Sequence, residues 1–271
     1  MLSTRAVKYP TSSYKHKPQH LQERVIMVTG AGQGLGRVAA LSFAAEGATV
    51  ILVGRKLDKL EKVYDEILVQ NSPEPIIFVM DFDKAEEQEY ANMAEAIYKQ
   101  LGRLDGILHN ATHFDNLSPL EIQTTKQLER MMRVNVSAPF AMTKACLPLL
   151  KESPDASVIF TSTSAANKPT AYWGMHAISK HAADYMMKIW ASELEKFPYL
   201  RLNTVIPGAI QTPQRKKSHP GEVHDDLPET KSAMPIYHFL MGKDGKGISG
   251  KIFEAKSLKL AANQLEVKPS V

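Results

Sequence analysis

The amino-acid sequence predicts an α/β fold, a doubly wound parallel sheet with helices on both faces in three layers. Short apolar runs rich in Val and Ile alternate with amphipathic stretches at helical spacing. Strands joined by crossover helices pair in parallel, and strands covered on both faces are almost wholly apolar, as these are. With 271 residues, 44% of them hydrophobic, the chain can form one sizeable domain.

Predicted strands and helices alternate along the chain. The strands cover 25–28, 49–53, 76–80, 106–109, 157–160, 201–206 and 251–253. Helices are expected over 35–45, 57–69, 84–101, 124–134, 139–151, 173–197 and 234–241, with a polar loop from 208 to about 232. Ligands bind beyond the carboxyl ends of such strands. We therefore expect one rim to carry the residues that follow the strands: Gly30, Arg55, Asp81, Asn110, Thr163 and Pro207.

A glycine-rich turn joins the first strand to the first helix, with the sequence Thr29-Gly30-Ala31-Gly32-Gln33-Gly34-Leu35-Gly36. Glycines allow a tight turn and a close approach of the backbone to a phosphate. The helix that begins there offers unpaired N–H groups and the positive end of its dipole. The turn therefore predicts a site for the pyrophosphate of a dinucleotide in a Rossmann fold. The other interpretation is a glycine-rich turn that binds nothing.

The residues after the second strand indicate which dinucleotide binds. An acid usually stands there and binds the ribose 2′-hydroxyl, but here Gly54 is followed by Arg55 and Lys56. A guanidinium can bind a 2′-phosphate through two hydrogen bonds. NADP(H) is therefore favoured over NAD(H), unless Arg55 only solvates the start of a helix. Arg37 in the first helix could add a second cation.

Composition and charge argue against other classes of protein. The net charge is +4 and Lys and Arg are scattered, so no nucleic-acid-binding stripe is indicated. No apolar run approaches the length of a membrane span. The single Cys146 excludes an intrachain disulfide and a Cys-based metal cluster. No metal site is expected, and the default location is the cytoplasm.

The chain is divided into three segments. Residues 1–22 form a basic arm that we expect to be solvated or to pack on a partner subunit. Residues 23–253 form the nucleotide-binding domain, and the tail over 254–271 carries little structural signal.

Several features together resemble the short-chain dehydrogenase/reductase family over about residues 24–253. They are the glycine-rich turn, Asp81, Asn110-Ala111, Asn135, Ser179-Lys180, and Pro207-Gly208 with Thr212. The stretches 52–55, 104–110 and 239–242 look like a bacterial subgroup, the YciK-like oxidoreductases.

The resemblance implies an NADP(H)-dependent oxidoreductase that transfers hydride between the cofactor and a hydroxyl or carbonyl group of a small-molecule substrate. Asp81 is expected at the adenine, and Asn110 and Ala111 along the ribose. A homodimer or homotetramer is implied, paired through the helices over 139–151 and 173–197. The residues expected at the cofactor are Gly30, Gly32, Gln33, Gly34, Leu35, Gly36, Arg55, Asp81, Asn110, Ala111, Lys180, Pro207, Gly208 and Thr212.

The family's mechanism implies four catalytic positions. An Asn orders a proton-relay water, a Ser polarises the substrate carbonyl, a Tyr exchanges the proton, and a Lys lowers the pKa of the Tyr and holds the nicotinamide ribose. Here Asn135 and Lys180 match, while Thr163 stands at the Ser position and His176 at the Tyr position. The Gly that usually follows Asn110-Ala111 is replaced by Thr112.

These departures leave two functions open. In the first, the protein is an enzyme in which His176 is the acid/base and Asn135, Thr163 and Lys180 keep the family roles. In the second, it is an NADP(H)-binding pseudoenzyme that acts as a sensor or scaffold. Tyr172, one turn before His176, either turns its phenol inward or is a wall or interface aromatic.

Overall fold

The structure is a computed structural model that describes residues 14–255 and the backbone of residues 7–9. In this part of the chain one sheet is formed by β1 (Val7–Tyr9), β2 (Val25–Thr29), β3 (Thr49–Gly54), β4 (Ile76–Val79), β5 (Gly106–His109), β6 (Ala156–Thr161), β7 (Leu200–Ile206) and β8 (Ile252–Ala255).

The helices that cross between the strands are α1 (Gly34–Ala45), α2 (Leu57–Val69), α3 (Glu87–Leu101), α4 (Thr125–Met132), α5 (Ala138–Glu152), α6 (Gly174–Glu193), α7 (Pro213–Ser218) and α8 (Met234–Met241). All strand pairs are parallel, in the order β1-β8-β7-β6-β5-β2-β3-β4. The predicted doubly wound α/β/α fold is confirmed.

Two hydrophobic cores lie on the two faces of the sheet. One contains buried residues of α1, α2 and α8, among them Phe43, Leu60 and Tyr237. The other contains residues of α3, α5 and α6, among them Ile97 and Met187. The strand order reverses between β2 and β5, where the chain crosses to opposite faces. This reversal opens a crevice at the carboxyl ends of the strands.

One helical boundary differs from the sequence prediction. The helices expected over 124–134 and 139–151 are continuous, because a π-helical turn at Arg133–Ser137 joins α4 to α5. Pro139 stands directly after this turn and has no N–H to donate to a carbonyl oxygen of the preceding helical residues. π turns inside helices occur often at functional sites, and this one carries the buried Asn135.

The expectation of a solvated N-terminal arm is wrong for the part that the structure describes. β1 adds a strand to the edge of this chain's own sheet, with Val7 paired to Phe253. Leu21 is fully buried in the core, and the Tyr14 hydroxyl donates to Asp244 at 2.9 Å. Strand addition satisfies the backbone groups of the β8 edge, and burial of Leu21 removes an apolar side chain from water.

The predicted carboxyl-terminal boundary is also inexact, since β8 continues to Ala255. The rest of the predicted tail lies outside the described residues. None of the helices between residues 14 and 255 combines the length and apolarity that crossing a bilayer requires.

A buried ion network holds the amino ends of the strands. Asp155 accepts a hydrogen bond from Arg24 Nη1 at 2.8 Å and forms a second ion pair with Arg201 Nη1. Arg24 also donates to the carbonyl oxygens of Asp155, at 2.7 Å, and Asp105, at 3.1 Å. One carboxylate therefore balances two buried guanidinium groups that reach it from different strands.

We expect Asp155→Asn to lower the free energy of unfolding by about 3–5 kcal/mol, because two buried arginines lose their counter-charge. Urea denaturation measures this change. Glu95→Gln, which removes an exposed pair with Lys99, is the control and should leave the midpoint unchanged. Equal midpoints for all three proteins would contradict a stabilising network.

Candidate active site

A cavity of about 660 Å³ occupies the carboxyl edge of the sheet. Its volume is in the range of small-molecule and cofactor sites. Two of the predicted site residues, Gly36 and Asn135, do not line this cavity. The others line it: Gly30, Gly32, Gln33, Gly34, Leu35, Arg55, Asp81, Asn110, Ala111, Thr163, His176, Lys180, Pro207, Gly208 and Thr212.

The glycine-rich turn brings α1 close against the ends of β2 and β5. Gly30 has a φ of +69°, a conformation that favours glycine. A Cβ atom at Gly36 would lie 2.6 Å from Asn110 Nδ2 and still closer to the carbonyl oxygen of Gly30. The Thr29 hydroxyl accepts hydrogen bonds from the backbone N–H groups of Asn110 and Ala111, both at 3.0 Å. Thr29 therefore fixes the loop after β5 against the turn.

The start of α1 fits an anion. Its N-cap Gln33 makes no side-chain capping bond, and the first turn holds no acid. The backbone N–H groups there are therefore available to a phosphate at the positive end of the helix dipole. A dinucleotide pyrophosphate fits these residues.

The cations beside the cavity are arranged differently from the sequence expectation. Arg55, Lys56 and Lys59 line it, and Lys59 Nζ donates to Gln33 Oε1 at 2.5 Å. Arg37 instead turns away and forms an ion pair with Glu66 of α2. The suggestion that Arg37 adds the second cation is therefore wrong, because helical geometry points its side chain at α2. Lys59, in the first turn of α2, takes that place.

Asn135 links the loop after β5 to α6. Its Oδ1 accepts from the backbone N–H of His113 at 2.7 Å and from Thr112 Oγ1 at 3.1 Å. Its Nδ2 donates to the His113 carbonyl oxygen at 3.0 Å and to Ser179 Oγ at 2.9 Å. These contacts use both lone pairs and both N–H groups of the amide. Asn135 thus acts here as a positioning residue.

His176 lies deep in the cavity wall with 2% of its surface exposed. Neither ring nitrogen makes a hydrogen bond within the described part of the chain. Its ring contacts Phe114 edge-on at 5.0 Å between centroids and Trp173 at 5.9 Å. Burial, and next the Lys180 ammonium, lower the pKa of His176 to about 3. The imidazole is therefore neutral at pH 7.

Lys180, one helical turn after His176, is the buried charge of the site. Its Nζ donates to the carbonyl oxygen of Thr161 at 2.9 Å. Burial lowers the pKa of Lys180 to about 8, against the opposing effect of Asp184. Burial raises the pKa of Asp184 to about 6, although a 2.8 Å hydrogen bond from Ser162 favours its carboxylate. Both groups consequently titrate near neutral pH.

Thr163 ends the extended segment after β6. Its Oγ1 accepts from the backbone N–H of Ala165 at 3.4 Å, so its hydroxyl proton stays available to a ligand in the cavity. Tyr172 is 60% exposed and is absent from the lining of this cavity. The suggestion that Tyr172 supplies an inward phenol is therefore wrong.

The mouth of the cavity is aromatic and carries paired charges. Trp173 lies between Phe114 and His219, with ring centroids 5.8 Å apart in both pairs. His113 Nε2 lies 3.1 Å from Asp115 Oδ1. Arg215 forms a two-pronged ion pair with Glu222, at 2.6 and 2.8 Å. The segment after β7 thus folds over the opening.

Sequence reasoning missed several residues of the site. Asp184 stands four residues after Lys180, and this helical spacing could have revealed the pair. The position of Lys59, a cation in the first turn of the second helix, was a weaker indication that it belongs to the site. The contact between Asn135 and Ser179 joins residues that are distant in sequence, so no local pattern predicted it.

Comparison with known proteins agrees with this geometry. A family model described as short chain dehydrogenase matches residues 24–223. The "Uncharacterized oxidoreductase YciK" of Escherichia coli K12 is 37% identical over 243 residues, which cover 90% of this chain and 96% of the relative.

Two solved structures bear on the cavity. A short chain dehydrogenase from Shigella flexneri 2a, complexed with NADP, is 37% identical with a TM-score of 0.86, covering 89% of this chain and 100% of its own. A short chain dehydrogenase from Escherichia coli CFT073, complexed with NADPH, has the same identity, TM-score and coverage of both chains.

We expect Gly36→Ala to destabilise the fold by about 1–3 kcal/mol, because the added methyl group overpacks the contact between α1 and Gly30. Thermal and urea unfolding measure this. Gly221→Ala is the control, since a Cβ there would meet no atom within 4 Å. A Gly36→Ala protein as stable as the control would show that the close contact carries no strain.

Proposed function

The chain belongs to the short-chain dehydrogenase family and is related to YciK-type oxidoreductases, and we propose that it is an NADP(H)-dependent oxidoreductase with an altered proton-transfer site. The observation that carries this proposal is one cavity lined by the open start of α1, three cations after β3, and the buried Lys180. The substrate is a small molecule with a carbonyl or hydroxyl group. A homodimer or homotetramer in the cytoplasm remains part of this proposal.

Cofactor binding is assigned to the rim of the sheet. The N–H groups at the start of α1 take the pyrophosphate, and Arg55, Lys56 and Lys59 surround the 2′-phosphate. Asp81 lies at the place proposed for the adenine, and Asn110 and Ala111 line the ribose side. When bound, NADPH supplies the hydride for reduction of a carbonyl.

The proton side of the reaction rests on Lys180. With a pKa near 8, its ammonium is a proton donor that is mostly charged at pH 7 and can still release the proton. We assign to the neutral ring of His176 the passage of this proton to the substrate oxygen. Neither ring nitrogen contacts Lys180 Nζ in the described structure, so the transfer requires a bridging water or a rotation of the ring. The Thr163 hydroxyl donates a hydrogen bond to the same oxygen.

Asn135 and Asp184 support this arrangement without touching the substrate. Asn135 holds the loop that carries His113 against α6. The carboxylate of Asp184 accepts a hydrogen bond from Ser162 and lies one helical turn after Lys180, where it raises the pKa of the lysine. A specific observation favours the pseudoenzyme alternative as a second candidate. Neither ring nitrogen of the buried His176 makes a well-aligned hydrogen bond in the described residues, although the backbone of His113 stands close enough to raise its pKa.

For the cofactor, we expect Arg55→Gln to weaken NADPH binding by roughly 10–100-fold and to leave NADH binding unchanged, because only NADPH carries the 2′-phosphate. Fluorescence titration with each nucleotide measures this. Arg37→Gln removes a guanidinium that faces α2 and should bind both nucleotides like the wild type. An equal effect of the two substitutions would contradict the assigned phosphate site.

For the reaction, we expect the wild type to oxidise NADPH with members of a carbonyl panel. His176→Phe should lower kcat by roughly 100-fold or more without changing NADPH affinity, because the relay ring is lost. His224→Gln, outside the cavity lining, is the matched control. The rate should fall as pH rises through about 8, where Lys180 loses its proton.

The pseudoenzyme makes the opposite prediction in the same assay. NADPH would bind tightly to the wild type without turnover, and activity would appear only in His176→Tyr, in which a phenol stands beside the Lys180 ammonium. Failure of the wild type to bind either nucleotide would contradict both candidates.

A further inference from the structure

Three histidines meet at the amino edge of the sheet, away from the cavity. His16 and His20 belong to the segment before β2, and His238 belongs to α8. One nitrogen of each ring lies within 4.8 Å of the others. The ring centroids of His16 and His20 are 4.0 Å apart, and those of His16 and His238 are 4.6 Å apart. We propose that His16, His20 and His238 form a binding site for a zinc ion.

The outer nitrogens of the rings are already oriented by other groups. Ser42 Oγ lies 2.6 Å from His238 Nε2. Glu46 Oε2 lies 3.3 Å from His20 Nδ1, and the Lys17 carbonyl oxygen lies 3.2 Å from His16 Nδ1. Histidines that ligate a metal usually hold their second nitrogen in such a contact, with a carboxylate, carbonyl or water.

The inner nitrogens are the ones left without partners. His20 Nε2 and His238 Nδ1 are buried and make no hydrogen bond within the described part of the chain. A buried polar nitrogen without a partner is costly, and a metal ion would satisfy both at once. His16 Nε2 is then the third ligand, and a water molecule can take the fourth position of a tetrahedral zinc.

Protonation and charge favour a cation at this place. Burial, with its two neighbouring histidines next, lowers the pKa of His238 to about 3. Burial and His16 also lower the pKa of His20. Metal ligation requires the neutral ring, which offers a lone pair at the nitrogen that carries no proton. The carboxylates of Glu46 and Asp244 stand nearby and offset the charge of a divalent ion.

The geometry requires a small adjustment. Ligand nitrogens around a tetrahedral zinc are about 3.3 Å apart, given Zn–N bonds of about 2.0–2.1 Å. The stacked His16 ring must therefore rotate toward the other two. Its side chain is 25% exposed, and its ring contacts those of His20 and His238. Zinc would thus fasten the N-terminal segment to the domain.

The test is isothermal titration of the full chain, prepared without a polyhistidine tag, with zinc chloride. We expect one zinc ion per chain and a zinc-dependent rise in Tm. His16→Gln and His238→Gln should each weaken binding at least about tenfold, and Ser42→Ala by roughly 10–100-fold through the orientation of His238. His224→Gln is the matched control and should bind zinc like the wild type.

A second measurement distinguishes the loss of a metal ligand from the misfolding of a variant. Cobalt chloride added to the wild type should give the intense visible absorption of a tetrahedral site, and one equivalent of zinc should abolish it. His16→Gln alters the most exposed of the three rings and should retain the wild-type far-ultraviolet circular dichroism. Absence of saturable zinc binding in the wild type would overturn the site. Wild-type affinity in both His16→Gln and His238→Gln would also overturn it.

Discussion

The parallel pairing of β2 with β5 is the constraint from which the rest of the structure follows. Here neighbouring strands send their crossovers to opposite faces, so their carboxyl ends separate and leave room for a ligand. Thr29 ties the two ends together, since its hydroxyl accepts from the N–H groups of Asn110 and Ala111. Gly36 allows α1 to start against that junction. The cavity therefore results from the backbone before any catalytic side chain is considered.

The sequence was most informative where one local requirement decided the structure. Apolar runs located the strands, and the glycine turn located the nucleotide rim, because both depend on residues adjacent along the chain. Arg37 was misassigned, since its partner Glu66 belongs to another helix. The sequence likewise did not predict the π turn around Asn135 or the contact of Asn135 with Ser179. They depend on how α4, α5 and α6 pack, which no short pattern records.

The amino edge of the sheet contains two clusters of polar side chains that are removed from water. Arg24, Asp155 and Arg201 place fixed charges there and balance them within one network. His20 and His238 lie nearby, and one buried nitrogen of each ring makes no hydrogen bond within the described residues. The charges of the first cluster balance within it, although Arg24 Nε and Arg201 Nε make no hydrogen bond in the described residues. The second cluster brings one nitrogen of each of three rings together within 4.8 Å, and the zinc ion proposed above would satisfy them. The proposal of a zinc site rests on the buried nitrogens of His20 and His238, which lie close together and have no hydrogen-bond partner in the described residues.

The site differs most from its family in the coupling between two positions on α6. A phenol beside a lysine ammonium becomes negative when it gives up its proton, and the lysine stabilises that charge. An imidazole beside the same lysine becomes positive when it takes a proton, and the lysine opposes that charge. Burial is the larger cause and Lys180 the second, and together they lower the pKa of His176 to about 3. A neutral imidazole can pass a proton along but cannot store one. Lys180 lies one turn further on the same helix face, and burial lowers its pKa to about 8 against the opposing effect of the Asp184 carboxylate. In the mechanism proposed above, the replacement of a single side chain transfers the acid function to a residue to which the family resemblance assigns a supporting role.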